Sequence, residues 1–536
     1  MLDKHSDPEG NVLLRAVNDG IHRFYRPVLH RALARPWVTL AILLALCLTT
    51  LPLVKLIGSS LFPAAETPQF LIRVETPDGS SLARTDRVLR HVERRLKAEP
   101  DVAWQAANLG RGNPQIFYNR SQHESATTFG EVFVSLKRWE PGKSEAVLDR
   151  LRKDFANFPG ARISVLTFEN GPPIDAPIAV RLTGQNLDVL KALAARAEAI
   201  MKATPGARDV TNPIRLDRTD LDLGVDEAKA AALGVPAGAP RRIARLALSG
   251  EETARFRDPD GDDYAVKARL PTEQVDGAPR NPLSALKGVY VPTADGLAAP
   301  LDAIATPRLK SSPSRIDRFD RERTVTISSY VRTGFLASAV TEDAVARLAR
   351  DLPLPPGYRL SLGGEAEAAS ESFAGLGAAV LVAVFGILAV LVLEFQKFKT
   401  ALVVAGIIPF GVFGAVLALA LTGNSLSFTA TIGVVALIGI EIKNSILLVD
   451  FTEQLRREGM NLHDAIEKAG EVRFLPVLLT SVTAIGGLLP LALEHSGLYS
   501  PLAIAIIGGL VTSTLLSRVA TPVMYWLTAR GKAEAG

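Results

Sequence analysis

Six apolar segments constrain this 536-residue chain most, because each is long enough to cross a bilayer and poor in charge. A membrane-spanning helix needs about 20 mostly apolar residues. The segments are Trp37–Ile57, Phe373–Leu393, Thr400–Leu421, Phe428–Val449, Phe474–Leu493 and Ser500–Leu527. One span therefore precedes a long polar stretch and five follow it. The sequence predicts an α-helical membrane bundle of six spans that carries one large soluble domain.

Basic residues in the short connections predict the orientation of the bundle. They lie before the first span, between the second and third, between the fourth and fifth, and after the sixth. The loops around Asn424 and His495 carry none. The positive-inside rule then places both termini in the cytoplasm and the large domain on the far side. Residues 1–36 are predicted to form a cytoplasmic amphipathic helix, 37–58 an uncleaved transmembrane anchor, and 531–536 a cytoplasmic tail.

The large domain is predicted to be α+β. A β-α-β-β-α-β order, the split pattern of ferredoxin-like folds, fills residues 59–174. The same order restarts in 175–214, is interrupted by a β-rich insert in 215–307, and is completed in 308–372. The five remaining transmembrane helices occupy 373–530. The expected fold is thus a six-span bundle plus two ferredoxin-like subdomains, the second of which carries the insert.

One residue within the spans is chemically out of place. Lys443 lies inside the apolar run from Ile432 to Val449, where a charge costs about 2.5–3.5 kcal/mol on insertion scales. Glu441 lies about 200° away around the helix, and Asp450 lies roughly 10 Å along the axis. We therefore expect the acidic partner of Lys443 to come from another helix or another chain. The alternative is that the side chain extends along the helix toward Asp450 and the interface.

Composition excludes several other classes of function. The net charge of +4 and the lack of a basic block with interleaved aromatics argue against nucleic-acid binding. The single cysteine, Cys47, excludes a disulfide framework and a Cys-based metal site. The sequence contains no phosphate loop and no catalytic constellation. We therefore predict a non-enzymatic protein without a cofactor or a resident metal.

Four local sequences, together with this layout, resemble a known family. They are LFPAAETPQF (61–70), VDEAKAAALGV (225–235), GIEIKNSILLVDF (439–451) and RFLPVLLTSVTAIGGLLPLAL (473–493). The chain resembles the C-terminal half of resistance-nodulation-division (RND) efflux permeases, in the branch that exports hydrophobic and amphiphilic compounds. The resemblance implies a proton antiporter for multidrug export in the bacterial inner membrane, with a periplasmic porter domain and a docking role for the insert.

The resemblance also implies roles for individual residues. Lys443 matches the lysine that neutralises an aspartate pair in the other half of the permease, and Asn444 follows it as in the family motif. Thr480 and Arg473 match residues along the same proton relay. Glu441 has two interpretations: a further relay group, or a polar residue satisfied by a neighbouring helix. Thr480 likewise has the alternative of bonding only its own backbone.

A loop in the first porter subdomain is the candidate substrate-pathway element. Phe117 and Tyr118 lie in LGRGNPQIFYNRSQHES, which by position resembles the loop that separates substrate pockets in family porters. An ordinary exposed loop is the alternative. Among the four methionines only Met201 lies in the large domain, and soft metals prefer thioether and thiolate ligands. The sequence therefore disfavours a soft-metal substrate.

The chain departs from the family pattern in one respect. None of its spans contains an Asp-Asp pair. We therefore expect a half-permease that works with a complementary half-permease carrying the acid pair. The family further implies a periplasmic adaptor protein, an outer-membrane channel and a trimeric assembly. The alternatives are a truncated or scaffold chain without transport of its own, and a six-span protein-translocation accessory, which the paired subdomains with an insert disfavour.

Overall fold

The computed structural model describes residues 23, 25–63, 65–268, 286–494 and 496–533. Residues 534–536 of the predicted tail and residues 1–22 and 24 of the predicted amphipathic helix lie outside these residues, as does the loop position His495. Residues 531–533, predicted as part of the tail, continue the last helix instead. The chain divides into two compact units. One comprises the residues up to Pro213 together with those from Asp317 onward, and the other comprises Ile214–Ile316.

The described chain begins with helices and continues into a first α+β subdomain. Its elements are α1 (Arg26–Ala34), α2 (Pro36–Leu48), α3 (Thr50–Ile57), β1 (Ser59–Ser60), β2 (Gln69–Glu75), α4 (Leu82–Lys97), β3 (Val102–Leu109), β4 (Phe129–Leu136), α5 (Lys143–Phe155) and β5 (Arg162–Thr167). The sheet has the order β3-β4-β2-β5, and all neighbouring strands are antiparallel. This subdomain therefore consists of one sheet packed against two helices.

Helix α4 shows why the sequence folds this way. The Ser81 hydroxyl accepts a hydrogen bond from Arg84 N and caps the first turn. Apolar residues at helical spacing, including Val88, Val92 and Leu96, form one buried stripe. These side chains pack on Phe70 and the other inward residues of the sheet. Each buried aliphatic side chain contributes about 1.5–3 kcal/mol of transfer free energy, so this face fixes the helix on the sheet.

The second α+β subdomain begins before the inserted unit. Its first elements are β6 (Ile178–Thr183), α6 (Leu187–Lys202) and β7 (Ala207–Thr211). The inserted unit contains β8 (Arg218–Val225), α7 (Glu227–Ala232), α8 (Ala239–Ser249), β9 (Glu251–Arg257), β10 (Asp263–Ala268), β11 (Tyr290–Pro292), β12 (Ala298–Pro300), α9 (Leu301–Ile304) and β13 (Ala305–Ser312). Its described strands form three two-stranded antiparallel pairs, β8 with β13, β9 with β10, and β11 with β12.

The remaining elements complete the second subdomain and form the membrane bundle. They are β14 (Asp317–Phe319), β15 (Glu322–Val331), α10 (Ala337–Asp351), β16 (Arg359–Gly364), α11 (Glu365–Phe395), α12 (Phe398–Ala405), α13 (Ile408–Thr422), β17 (Leu426–Ser427), α14 (Phe428–Arg457), α15 (Leu462–Leu493) and α16 (Ser500–Ala533). The second sheet has the order β14-β15-β6-β16, with β7 also paired to β15.

Six helices of the described chain are long and apolar enough to span a membrane, as predicted. Their bounds are Pro36–Ile57, Glu365–Phe395, Phe398–Thr422, Phe428–Arg457, Leu462–Leu493 and Ser500–Ala529. The first span is divided into α2 and α3 at Thr49. The third is divided into α12 and α13, and Pro409 lies in the first turn of α13. A proline in the first turn removes no helical hydrogen bond, so α13 begins there.

The second sheet continues directly into the second membrane span. Gly364 ends β16 with φ +66°, and a Cβ there would lie 2.6 Å from the carbonyl oxygens of Ala176 and Pro177. Glu365 N then donates to Pro177 O (2.8 Å). In the first turn of α11, Glu367 accepts two hydrogen bonds from Arg181 (2.7 and 2.6 Å). The start of α11 is therefore fixed to the soluble sheet without an intervening loop.

Glycines allow α13 and α16 to approach closely. A Cβ at Gly414 would lie 2.5 Å from Gly508 O, and one at Gly508 would overlap the Cβ of Ala418. The Thr512 hydroxyl also donates across the contact to Phe410 O (3.1 Å). Small residues at such contacts let two membrane helices bring their backbones together. Gly414 and Gly508 are therefore close-packing sites between α13 and α16.

Helix α1 covers part of α16. Tyr25, at its N-terminus, donates a hydrogen bond from its hydroxyl to Arg518 O (3.1 Å). Arg518 is only 3% exposed, and its Nε and Nη1 have no hydrogen-bond partner among the described residues. Although Arg518 interrupts the last span, its side chain does not extend to the surface of the bundle, because α1 packs over this part of α16.

Candidate functional site in the membrane bundle

Lys443 lies on the exposed side of α14. The exposed residues of this helix include Ile432, Ala436, Ile440, Lys443 and Asp450, which follow one another at helical spacing. We call these five residues the Lys443 stripe. Among the described residues, no carboxylate lies within ion-pair distance (4.0 Å) of the Lys443 ammonium, and Asp450 forms no ion pair with it. The stripe thus presents a cation and several apolar side chains on the outside of the bundle.

Glu441 lies on the opposite, buried side of the same helix. The residue is 2% exposed and packs against α13, where a Cβ on Gly411 would overlap its carboxylate. The Ser513 hydroxyl of α16 lies beside the carboxylate but donates instead to Leu510 O (3.4 Å). Within the described chain, neither carboxylate oxygen has a hydrogen-bond partner. An acidic group kept in a membrane bundle without a partner is costly, which makes it a functional candidate.

The other three predicted relay residues occupy different surroundings. Asn444, which directly follows Lys443 in the sequence, is buried (8% exposed). The Thr480 side chain is exposed, and its hydroxyl donates to Val477 O (2.8 Å) in its own helix. The Arg473 guanidinium lies 4.6 Å from the centre of the Phe451 ring. Between the described atoms, no hydrogen bond or ion pair joins any two of the five predicted relay residues.

Two hydroxyl contacts between membrane helices were not predicted. Ser481 of α15 and Thr514 of α16 are hydrogen-bonded at 2.7 Å, and both are buried. Ser445 of α14 lies 3.4 Å from the Thr521 hydroxyl of α16. The sequence signal was the hydroxyl-rich run that contains Thr480, but the periodicity alone did not show that its neighbour Ser481 faces the bundle. These contacts connect α16 to both helices that carry the predicted relay residues.

The predicted substrate-pathway loop is anchored to the first subdomain. The Phe117 ring stacks on the Phe168 ring with centroids 4.8 Å apart, and it packs on the buried cluster that includes Phe133. The Tyr118 hydroxyl accepts a hydrogen bond from Gly171 N (2.6 Å), while Tyr118 remains 64% exposed. One aromatic side chain thus fixes the loop and the next presents its ring at the surface.

A polar cluster lies where the two α+β subdomains meet. It contains Arg120, Glu169, Arg208 and Tyr330. Burial raises the pKa of the Glu169 carboxyl, and the nearby Arg120 opposes that shift. Burial also lowers the pKa of Arg208, whose guanidinium lies 5.2 Å from the Tyr330 ring centre. Because these residues are far apart in the chain, the sequence alone did not indicate the cluster.

One long membrane segment, an α+β region with an inserted unit, and five further membrane helices define a multi-pass membrane permease of the RND class. The AcrB/AcrD/AcrF family matches residues 1–529. The chain belongs to this family, and the resemblance to RND permeases noted from the sequence is confirmed.

Individual relatives carry two different descriptions. The cation efflux system protein CzcA of Alcaligenes sp. (strain CT14) is 27% identical over 541 residues, which cover 96% of this chain and 49% of the relative. The multidrug resistance protein MdtC of Salmonella agona (strain SL483) is 29% identical over 411 residues, covering 75% of this chain and 39% of the relative. The chain thus spans about half the length, or less, of these curated relatives.

The fold also matches solved structures. A crystal structure described as a heavy metal efflux pump (crystal form II) superposes with a TM-score of 0.77 at 22% sequence identity. The match covers 97% of this chain and 52% of that chain. At this identity the match establishes the fold of the chain and not its substrate.

Proposed function

We propose that this chain supplies the lysine-bearing half of a proton-driven RND exporter for hydrophobic and amphiphilic compounds. The observation that carries the proposal is the exposure of Lys443 on α14 without a carboxylate within ion-pair distance among the described residues. A lysine within a membrane span requires a partner or a polar cavity. The Lys443 stripe is therefore the surface on which a complementary half-permease, carrying an acid pair, would pack.

Proton movement would drive export because the acid pair of one half and Lys443 of the other half would titrate as a coupled group. When the acid pair is charged, it attracts the Lys443 ammonium across the contact, and protonation of the acids releases it. A change of this kind shifts α14 relative to the other half. Glu441, Asn444, Thr480 and Arg473 would act on the same helix pair, α14 and α15, with Glu441 as a separate acid in the bundle core. Their relay roles are part of the proposal.

The soluble region would form half of a periplasmic porter. The order β3-β4-β2-β5 with two helices supports reading the first subdomain as ferredoxin-like, and β14-β15-β6-β16 supports the same reading for the second. We place this region in the periplasm and both termini in the cytoplasm, as the basic loops predict. The assembly would be trimeric in the inner membrane and would work with a periplasmic adaptor and an outer-membrane channel.

Amphiphiles are favoured over soft metals as substrates. Met201, the methionine of the soluble region, is 1% exposed in the core of its subdomain, so its thioether is not available to a passing ion. Tyr118, in contrast, presents an aromatic ring at the surface, and aromatic side chains contribute large apolar contact areas with a polar group at one end. The relatives described as cation and multidrug exporters make this distinction worth testing directly.

The decisive variant is Lys443→Ala in the assembly with the complementary half-permease. We expect proton-coupled export of an amphiphilic dye from inverted membrane vesicles to fall at least tenfold, to the level of vesicles without the chain. Gln454→Ala, an exposed position on the same helix, is the matched control and should export normally. Co-purification of the two halves measures assembly separately. Normal export by Lys443→Ala, with normal assembly, would refute the relay role of this lysine.

A further inference from the structure

Three potential metal-ligating side chains converge where α1 meets the start of α15. They are His30 of α1 and His463 and Glu467 of α15, and one ligand atom of each lies within 4.8 Å of the other two. His30 Nδ1 is 3.1 Å from Glu467 Oε1, and His463 Nδ1 is 3.9 Å from the same oxygen. The proposed export function uses none of these side chains.

The local structure places His463 and Glu467 together and restrains the His463 ring. His463 and Glu467 are four residues apart on α15, so both lie on one face of the helix. The His463 ring makes edge contacts with the Trp526 ring of α16 (centroids 5.7 Å apart) and with the His30 ring (5.6 Å). These ring contacts restrict the rotation of the imidazole.

Helix α1 is held against α15 by contacts that do not involve His30. Arg26 Nε lies 3.4 Å from Glu471 Oε1, and the Tyr25 and Phe474 rings pack with centroids 5.0 Å apart. Gly470 leaves room for Tyr25, because a Cβ there would collide with the tyrosine side chain. The approach of His30 to the His463–Glu467 pair is therefore set by its neighbours, and the cluster is prepared before any ion binds.

Two imidazoles and one carboxylate match the ligand preference of one class of ion. Zn²⁺ binds His nitrogen and Asp/Glu oxygen at about 2.0–2.2 Å, so tetrahedral ligands lie roughly 3.3–3.5 Å from one another. The separations of His30 Nδ1 and His463 Nδ1 from Glu467 Oε1, 3.1 and 3.9 Å, bracket that range, and the three ligand atoms all lie within 4.8 Å of one another. Asp464 Oδ1, 3.9 Å from His463 Nδ1, is within reach as a fourth ligand. To bind an ion, the side chains must exchange the hydrogen bond between His30 and Glu467 for metal bonds and bring the two imidazoles closer together.

We propose that His30, His463 and Glu467 bind one divalent transition-metal ion of the Zn²⁺ type, with Asp464 or water as the fourth ligand. Bound there, the ion would join α1 to the first turns of α15. By the positive-inside rule this is the cytoplasmic face, so the site would respond to metal inside the cell. The proposal does not depend on whether the chain exports amphiphiles or another substrate.

The test is equilibrium titration of the purified full chain with Zn²⁺, and with Co²⁺ as a spectroscopic probe, in detergent. The protein is isolated through a tag without histidine. We expect one tight equivalent, and Co²⁺ absorption in the visible range that indicates nitrogen and oxygen ligands in tetrahedral geometry. His463→Gln and Glu467→Gln should each weaken this equivalent by at least about tenfold, because loss of even an outer-shell partner of a metal ligand typically costs about 10–100-fold in affinity and each variant removes a direct ligand. His30→Gln should do the same.

The matched control is His123→Gln, an exposed histidine of the soluble region, which should leave the tight equivalent intact. Far-ultraviolet circular dichroism and gel-filtration profiles check that each variant is folded. Absence of a tight equivalent in the wild-type chain would overturn the proposal and leave His30 and Glu467 as a hydrogen-bonded pair. Retention of that equivalent when His30→Gln, His463→Gln and Glu467→Gln are combined, or its loss in His123→Gln, would also overturn it.

Discussion

Gly508→Ala should destabilise the contact between α13 and α16, whereas the same substitution at a glycine in open space should not. The new Cβ would lie 2.6 Å from Gly414 O and would overlap the Cβ of Ala418. Carbon–oxygen contacts of this kind normally begin near 3.3 Å, so relief of the Gly414 contact alone requires the helices to separate by about 0.7 Å. The overlap with the Ala418 Cβ requires a larger separation, because carbon atoms normally pack at about 3.5–4.0 Å. Backbone atoms form part of the contact and cannot rotate away. We therefore place the cost at about 3 kcal/mol, the upper end of the usual range for overpacking.

That cost corresponds to a change of roughly a hundredfold in the unfolding equilibrium. For a domain of about 150–250 residues, each kcal/mol lowers Tm by about 2–4 °C, so we expect a decrease of about 6–12 °C. The assay is thermal unfolding of the detergent-solubilised chain, followed by circular dichroism.

Gly439→Ala is the matched control for this measurement. It lies in α14, and a Cβ there meets nothing within 4 Å. Because alanine favours a helix over glycine by about 1 kcal/mol, this variant should unfold at the wild-type temperature or slightly above it. If Gly508→Ala unfolds at the same temperature as Gly439→Ala, the argument from the close helix approach is wrong.

Two further variants test the soluble region. Gly364→Ala should lower the yield of folded chain, because the Cβ would lie 2.6 Å from two carbonyl oxygens at a positive φ. Gel filtration of the solubilised protein measures this yield. Gly357→Ala also places a Cβ at a positive φ but in open space, so it shows the effect of backbone strain without a steric clash. Phe117→Ala should raise protease cleavage in the loop severalfold because it removes the stack on Phe168, whereas Tyr118→Phe keeps the ring and should only slightly increase cleavage. Equal cleavage rates in wild type and Phe117→Ala would contradict the anchoring role.

The sequence predicted the membrane spans well because a run of about 20 apolar residues is the length that a bilayer-spanning helix needs. It placed their ends less accurately. The second span was expected to begin at Phe373, but α11 begins at Glu365. Hydropathy reports where a helix enters the bilayer, and the polar turns that continue the helix outside are invisible to it. The fifth span shows the same effect, since α15 begins at Leu462.

Some candidate site residues were evident from the sequence and others were not. Lys443 was evident because a charge in an apolar run is rare, and helical geometry correctly separated it from Glu441, which the structure buries on the other side of α14. The cluster of Arg120, Glu169 and Tyr330 was not evident. Its members are brought together only when two subdomains pack, and no local pattern encodes that contact. The convergence of His30 with the start of α15 was missed for the same reason.

The direct continuation of β16 into α11 has a mechanical consequence. A 31-residue helix is about 46 Å long at 1.5 Å per residue. The paired hydrogen bonds of Arg181 with Glu367 fix its first turn to the sheet. We therefore expect α11 and β16 to rotate together about the point where they meet. A tilt of about 5° would displace the far end of α11 by roughly 4 Å. A small shift of α11 among the membrane helices should therefore rotate the soluble sheet, because no loop lies between β16 and α11.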